Sequence, residues 1–476
     1  MVFAPIISPS LLLTSYLLAS SSNRQTEYEK APGRKRNQRV VKVPAGKTIA
    51  KKNQSRNKSN VESKSELVSP IPQLTESGPR PSYFTCRHSY ENTLINEMEN
   101  TIGNVEAYSP CPGLVRIENN SNLSPFYDPI YALQSIPNAV VVSADSIKNI
   151  AKEIYNQLCD ELDIAAAPRG SLAIHGLVPG MCKGQRNPIL HNRSKKIAEE
   201  LKTMLKKRFP AARNISVKDS AHGGEEEKWI LQLMLQTHNI AIASLSQCKK
   251  VGPAYCYWPN WYHPLGLADI DIEEAPSSAY RKLMEALECM RVYPLSTSNV
   301  VDLGAAPGGW TSLLRRLNCR VVAVDRSPLD NVLMDDDMVS FVKGDAFTYV
   351  PEWVEDNSTR MAKAPPNSWM VSDVIAYPER VTEMLEQWCG NHWVSHLVVT
   401  MKFQGSEPSF SELDRAIQVS RSHGYECRVK HFFNNKNEVT LMVAEKNQID
   451  GMFLNVGVLG KPVYEVTLPM RNIATM

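Results

Sequence analysis

Five charged residues in the C-terminal half of the chain stand at or near the ends of short apolar runs: Asp302 in VVDL, Asp325 in RVVAVD, Asp345 in MVSFVKGD, Asp373 in SWMVSDV and Lys402 in HLVVTMK. If these runs are parallel strands, their carboxyl ends share one rim, and open α/β sheets bind ligands there. Between the first two lies the turn Gly304-Ala305-Ala306-Pro307-Gly308-Gly309-Trp310. A dinucleotide turn reads G-x-G-x-x-G; here Ala306 replaces the second glycine and Pro307 removes a backbone donor. No G-K-[ST] follows to hold a nucleotide phosphate. The turn is nevertheless built of small residues, so a flat ligand can approach its backbone. Asp325, at the end of the next strand, suits a pair of ribose hydroxyls. Asp345 lies within reach of an adenine edge. Together they describe a site for a nucleoside without a pyrophosphate, and S-adenosylmethionine is such a ligand.

Two more residues join this rim. Glu438 begins the last apolar run, EVTLMVAEK, and the preceding run, YECRVKHFF, is separated from it by Asn434-Asn435-Lys436-Asn437, a hairpin signal. An antiparallel last strand starts where parallel strands end, which brings Glu438 to the rim. Lys282 belongs to a helix expected over Ser277–Met290, with Ser277 as cap and Leu283, Ala286, Leu287 and Met290 as buried stripe. Lys282 lies beside that stripe, so its ammonium can reach the same rim. Taken singly, each such charge is more often a surface ion-pair residue.

The elements that must position these groups follow from the pattern. The chain has 476 residues, 43% of them hydrophobic, enough for more than one core. From Pro276 onward, strands and helices alternate, with helices at Glu379–Cys389 and Ser411–Ser422. This pattern predicts a doubly wound parallel sheet, a Rossmann-like α/β domain over 263–446. Before it, strands at SYFTCR, GLVRIE and NAVVVS and a helix at Glu91–Thr101 form an α+β unit over 81–145. A second α+β unit, 146–262, holds a helix at Ile147–Asp160, the strands SLAIHGLV, WILQLMLQ and HNIAIASLS, and a helix from Asn192 to Phe209. That last helix carries Arg193, Lys195, Lys196, Lys202, Lys206, Lys207 and Arg208, either a solvated face or a phosphate-contacting one. Residues 1–80 read as a disordered extension with leader-like features, and 447–476 as a tail. Between Asn23 and Asn60, twelve Lys/Arg face two acids in a chain of net charge +3, so the basic excess sits in the extension and the rest is mildly acidic. Ten scattered cysteines contain no C-x-x-C pair, so neither a metal site nor a disulfide framework is expected. No apolar run reaches membrane-spanning length.

The turn and the four rim charges Lys282, Asp373, Lys402 and Glu438 resemble the FtsJ-type ribose 2′-O-methyltransferases, whose mark is a Lys-Asp-Lys-Glu tetrad around a GAAPGGW turn. The segments APSSAYRKLMEAL, VVDLGAAPGGWTSLL, VSDVIAYPERVTEMLEQWCGNHW and TMKF carry the likeness, which is closest to the branch of that family acting on a cytidine ribose of large-subunit ribosomal RNA. YFTCRHSYENTLINEM resembles the N-terminal domain of that branch, the unit around Ser171–Ser246 its THUMP RNA-binding domain, and WPNWYHPLGLAD its linker. The resemblance implies a class I methyltransferase sheet, S-adenosylmethionine as cofactor, RNA as partner and the four charges as catalytic residues. Asp302, Gly304, Ala305, Pro307, Gly308, Gly309, Trp310, Asp325, Asp345 and Asp373 are expected around the cofactor. A ribose hydroxyl is a poor nucleophile; a lysine relieves it of its proton only in the neutral form, which a second ammonium and desolvation favour. The extension is not part of the family pattern, and Gln404-Gly405-Ser406-Glu407 lacks the basic run expected of the branch. No N-P-P-Y follows the fourth strand, which disfavours methylation of a base amine. Two further readings stay open: a methyltransferase for an mRNA cap or another RNA, and an RNA-binding protein whose methyltransferase fold has lost activity. The leader-like extension points to an organelle, while a short basic cluster at Gly33–Arg39 would suit a nuclear signal.

Overall fold

The computed structural model describes residues 80–158, 172–177, 188–208, 216–218, 229–256 and 275–446, apart from short internal breaks. The expected extension (all but its last residue), the linker and the C-terminal tail lie outside the described residues.

The first sheet is wholly antiparallel. It is built from β1 (Ser82–Thr85), β2 (Ala107–Cys111), β3 (Leu114–Ile117) and β4 (Gln134–Ile136) in the order β2-β3-β1-β4, with α1 (Glu91–Ile102) against it. Leu94 and Met98, one turn apart, give α1 its buried stripe, and Glu97 is buried beside them. The Glu97 carboxylate accepts the backbone N–H groups of Ile130 (2.6 Å) and Tyr131 (3.0 Å). Burial pushes its pKa up to about 7 against those two hydrogen bonds.

The second sheet comprises β5 (Val140–Ser143), β6 (Leu172–Leu177), β7 (Ser216–Lys218), β8 (Trp229–Leu235) and β9 (Ile240–Gln247), in the order β5-β9-β8-β6-β7. The sequence grouped β5 with the first unit; it pairs instead with β9, its inward Val140 and Val142 entering the second core. Two helices cover this sheet, α2 (Ile147–Leu158) and α3 (Pro188–Arg208). Ile150, Ile154 and Leu158 from the first and Ile197, Leu201 and Leu205 from the second recur every four residues and meet in that core. The expected basic helix begins earlier than its charge pattern, at Pro188, a residue tolerated in a first helical turn. A short ribbon, β10 (Lys249–Val251) and β11 (Ala254–Cys256), follows.

The third sheet has seven strands. In chain order its elements are α4 (Tyr280–Met290), β12 (Asn299–Leu303), α5 (Gly309–Arg316), β13 (Arg320–Asp325), α6 (Asn331–Met334), β14 (Val339–Lys343), β15 (Ser368–Ser372), α7 (Pro378–Gly390), β16 (His396–Lys402), α8 (Phe410–Ser422), β17 (Tyr425–Lys430) and β18 (Glu438–Glu445). The strand order is β14-β13-β12-β15-β16-β18-β17. Neighbours are parallel through β16, and β18 is antiparallel to both its neighbours. This is a mixed, parallel-rich α/β sheet, with apolar residues on both faces of each central strand, as a sheet covered by helices requires. Lys402 is the Cα partner of Glu438. The end of one strand thus faces the start of the other.

The first and third sheets share one core. Phe84, Leu94, Tyr127 and Tyr131 pack in the same cluster as Val399, Phe403, Val429 and Val439. A buried charge network crosses the seam: Asp128 accepts from Arg428 (2.7 Å) and Lys430 (2.8 Å), and Lys430 also donates to the Pro129 carbonyl (2.7 Å). Burial raises the Asp128 pKa, but the two cations outweigh it and hold the carboxyl below its usual range.

Candidate active site

Four elements deliver charged side chains to one point. Lys282 comes from the first turn of α4, Asp373 follows β15, Lys402 ends β16 and Glu438 starts β18. The Lys282 ammonium lies 2.6 and 2.7 Å from the two Asp373 carboxylate oxygens and donates to Glu438 Oε1 at 3.0 Å. Lys402 Nζ donates to the Asp373 backbone carbonyl at 2.6 Å and pairs with its Oδ1 at 3.1 Å. Two ammoniums and two carboxylates thus interlock around Asp373. Lys282 and Glu438 are buried, whereas Asp373 and Lys402 keep 17% of their side-chain surface exposed. The less buried side of the cluster is formed by Asp373 and Lys402, while Lys282 is held between two acids.

Thr400 is a member that the sequence did not disclose. Its hydroxyl donates to Asp373 Oδ1 at 2.7 Å. The signal was available in the period of the strand, since Thr400 precedes Lys402 by two residues and so shares its face. Behind Glu438, the Asn435 amide donates to Thr440 Oγ1 at 3.1 Å, bracing the turn into β18.

The glycine turn sits beside this cluster. Gly304 adopts φ +72°, and a side-chain carbon there would come within 3.1 Å of the Val374 backbone, next to Asp373. Gly308 lies at φ +113°, and its missing side chain leaves room for Leu333, whose Cδ1 would be 2.2 Å from a Cβ. At Gly309 the same space is taken by the Ser277 hydroxyl, also 2.2 Å away. What Gly308 and Gly309 admit on their Cα faces is protein. Ser277, expected as the α4 cap, instead receives the Ala279 N–H at 3.3 Å, and α4 begins at Tyr280. Ala305 is buried, Gly304 and Ala306 are half-buried and Pro307 is exposed, so the turn is open at Gly304, Ala306 and Pro307.

The other expected cofactor residues divide into two groups. Asp325 stands at the rim. Its Oδ2 accepts the Ala306 N–H at 3.0 Å and its Oδ1 the Ser327 N–H at 2.8 Å, so it ties the turn to its own strand end. Asp345 accepts the Phe347 N–H at 3.0 Å and pairs with Arg326, two contacts that lower its pKa. Both remain open at the rim. Asp302 and Trp310 do not: each is buried. The Thr311 hydroxyl donates to Asp302 Oδ2 at 2.6 Å, and burial pushes the Asp302 pKa up to about 7. The Trp310 indole N–H donates to the Ala279 carbonyl at 2.8 Å, pinning α4 to α5 within an apolar cluster. The Trp310 ring serves the packing of Lys282's helix.

Among the described residues, no group of His, Cys, Asp and Glu is arranged to hold a metal ion. No helix among them is long and apolar enough to cross a membrane.

Residues 276–387 match the model of the FtsJ-like methyltransferase family. This region contains Lys282, the glycine turn and Asp373. Proteins named ribosomal RNA large subunit methyltransferase M are similar to this chain. That of Halorhodospira halophila is 32% identical over 39% of this chain and 50% of its own length. That of Pseudoalteromonas translucida is 27% identical over 52% of this chain and 64% of its own. The chain thus spans about half the length of the curated relatives it matches. A solved structure of a possible methylase from Clostridium difficile is 11% identical over 77% of this chain and 98% of that one, at a TM-score of 0.26, too low to bear on the fold.

Proposed function

We propose that this protein is an S-adenosylmethionine-dependent RNA ribose 2′-O-methyltransferase acting on a cytidine of large-subunit ribosomal RNA. The convergence of Lys282 and Lys402 on Asp373, with Glu438 opposite Lys402, is the observation that carries this reading. When bound, S-adenosylmethionine supplies an electrophilic methyl group. The open part of the turn, at Gly304, Ala306 and Pro307, with Asp325 and Asp345, would hold it. These residues fit such a ligand: they leave an unblocked edge beside Asp373 and two carboxylates at neighbouring strand ends, where a ribose and an adenine need acceptors.

The protein's own groups then have distinct tasks. Lys402, the partly exposed amine, takes the proton of the 2′-hydroxyl in its neutral form. Lys282, clamped between Asp373 and Glu438, supplies a fixed positive charge near the oxygen that becomes negative. Asp373 aligns both amines, and Thr400 fixes the carboxylate. Most of the acceleration comes from holding nucleophile and acceptor in line. The second sheet, with the basic face of α3, is the proposed THUMP-like RNA-binding unit.

The test incubates the purified protein with labelled S-adenosylmethionine and total RNA from cells lacking it, then maps ribose methylation by sequencing. The expected result is one 2′-O-methyl position in large-subunit rRNA, absent with Lys402→Ala while S-adenosylhomocysteine still binds. Full methylation by Lys402→Ala would sink the mechanism. Label in a different RNA would move the substrate.

A further inference from the structure

The N-terminal unit touches the turn that precedes Glu438. Tyr90, just before α1, donates its hydroxyl to the Lys436 carbonyl at 2.7 Å. Lys436 lies two residues before Glu438, and its backbone N–H points at Glu438 Oε1 (3.4 Å). The Tyr90 ring lies 4.1 Å from the imidazole of His431 and stacks on Tyr131, centroid to centroid 6.0 Å. His431 is buried, its Nε2 2.9 Å from the same Lys436 carbonyl, while its backbone N–H donates to Ile130. On the far side of the turn, the Phe403 N–H, next to Lys402, donates to the Asn437 carbonyl at 3.0 Å. Residues 431–438 are therefore gripped on one side by Tyr90, Ile130 and Tyr131 and on the other by the strand that ends in Lys402. Phe432 and Phe433 of this segment also pack in clusters with Ile230, Met234 and Ile242 of the second sheet.

We propose that Tyr90 is a positioning residue for the cluster: by holding the Lys436 carbonyl, it sets the entry of β18 so that Glu438 meets Lys282 opposite Lys402. The N-terminal sheet is then part of the catalytic centre as well as a neighbour of it. The catalytic consequence rests on the methyltransferase reading above; the mechanical one does not. Glu438 holds Lys282 with a single 3.0 Å contact, so a shift of the turn by a fraction of that distance uncouples the pair.

Tyr90→Phe in the full chain removes only the hydroxyl and leaves the ring against His431 and Tyr131. Hydrogen exchange of the backbone N–H groups of residues 434–438 is expected to quicken, with the rest of the third sheet unchanged. On a large-subunit rRNA transcript with labelled S-adenosylmethionine, kcat is expected to fall about tenfold with KM for both substrates unchanged. In a double-mutant cycle with Glu438→Gln, the Tyr90→Phe effect should largely vanish, because both changes release the same contact. Unchanged exchange at 434–438, or effects that simply add, would overturn the proposal. If the unaltered protein methylates no RNA, the proposed function falls, and the exchange measurement still decides whether Tyr90 holds the turn.

Discussion

The proposed mechanism assigns the role of base to Lys402, and a substitution there tests it. Lys402→Arg keeps the positive charge and its reach, but a guanidinium does not give up its proton near neutral pH. The expected outcome is loss of methyl transfer by at least about a hundredfold, the low end for removing a general base, while S-adenosylhomocysteine binds as before in calorimetry. Retained activity would remove Lys402 as the base. The glycine turn makes a second demand at this scale. Gly308 occupies a backbone region that side chains rarely adopt, with Leu333 filling its open side. Gly308→Ala is expected to cost about 1–3 kcal/mol through strain, seen as an earlier denaturation midpoint, together with weaker S-adenosylhomocysteine binding as the turn shifts. The glycines at 304, 308 and 309 were legible from spacing alone. Their neighbours Val374, Leu333 and Ser277 were not, because each comes from a different element.

Among the elements, β18 decides the geometry. Inserted antiparallel between β16 and β17, it lays its first residue opposite the last of β16, so one strand's start completes a rim made of strand ends. The hairpin signal at 434–437 predicted the antiparallel pair. Insertion beside β16 depends on long-range pairing that no local pattern encodes. The seam through Asp128 belongs to this scale too. Removing one member of a buried ionic group leaves the others uncompensated, a cost of about 3–5 kcal/mol. Asp128→Ala removes the carboxylate that Arg428 and Lys430 share and is therefore expected to lower the melting temperature and open the junction near residue 128 to proteolysis. An unchanged melting temperature would show that the seam is held by its apolar contacts alone.

For the whole molecule, buried titratable groups give stability two opposing pH dependences. Burial lowers the pKa of His396 to about 4 and of His431 to about 3, so unfolding takes up protons as pH falls below the ordinary histidine value, and acidification destabilises. Burial raises Asp302 and Glu97 to about 7, so in the window between ordinary carboxylate values and 7 the fold holds protons that the unfolded chain releases, and acidification stabilises. The net curve blends both signs, and single variants separate them. The melting temperature of His396→Gln relative to the unaltered protein is expected to improve as pH falls from 7 to 5. That of Asp302→Asn is expected to improve as pH rises over the same interval. Parallel curves for either variant would show that its group does not titrate there.

What the sequence by itself determined is what runs along the chain. The alternation of apolar runs and helices after Pro276 set the sheet class, and the small-residue turn with its acids at strand ends set the rim. The charge types of Lys282, Asp373, Lys402 and Glu438 proposed the chemistry. What only the tertiary structure decided is what meets across it. Asp302 and Trp310 carry residue types suited to a ligand yet are spent on Thr311 and the Ala279 carbonyl. Thr400 and Tyr90, unremarkable in the sequence, touch Asp373 and the turn before Glu438. The physical reason is that periodicity reports which face of an element is buried, while the partner on that face is chosen by strand order and packing between segments hundreds of residues apart, such as Tyr90 and Lys436.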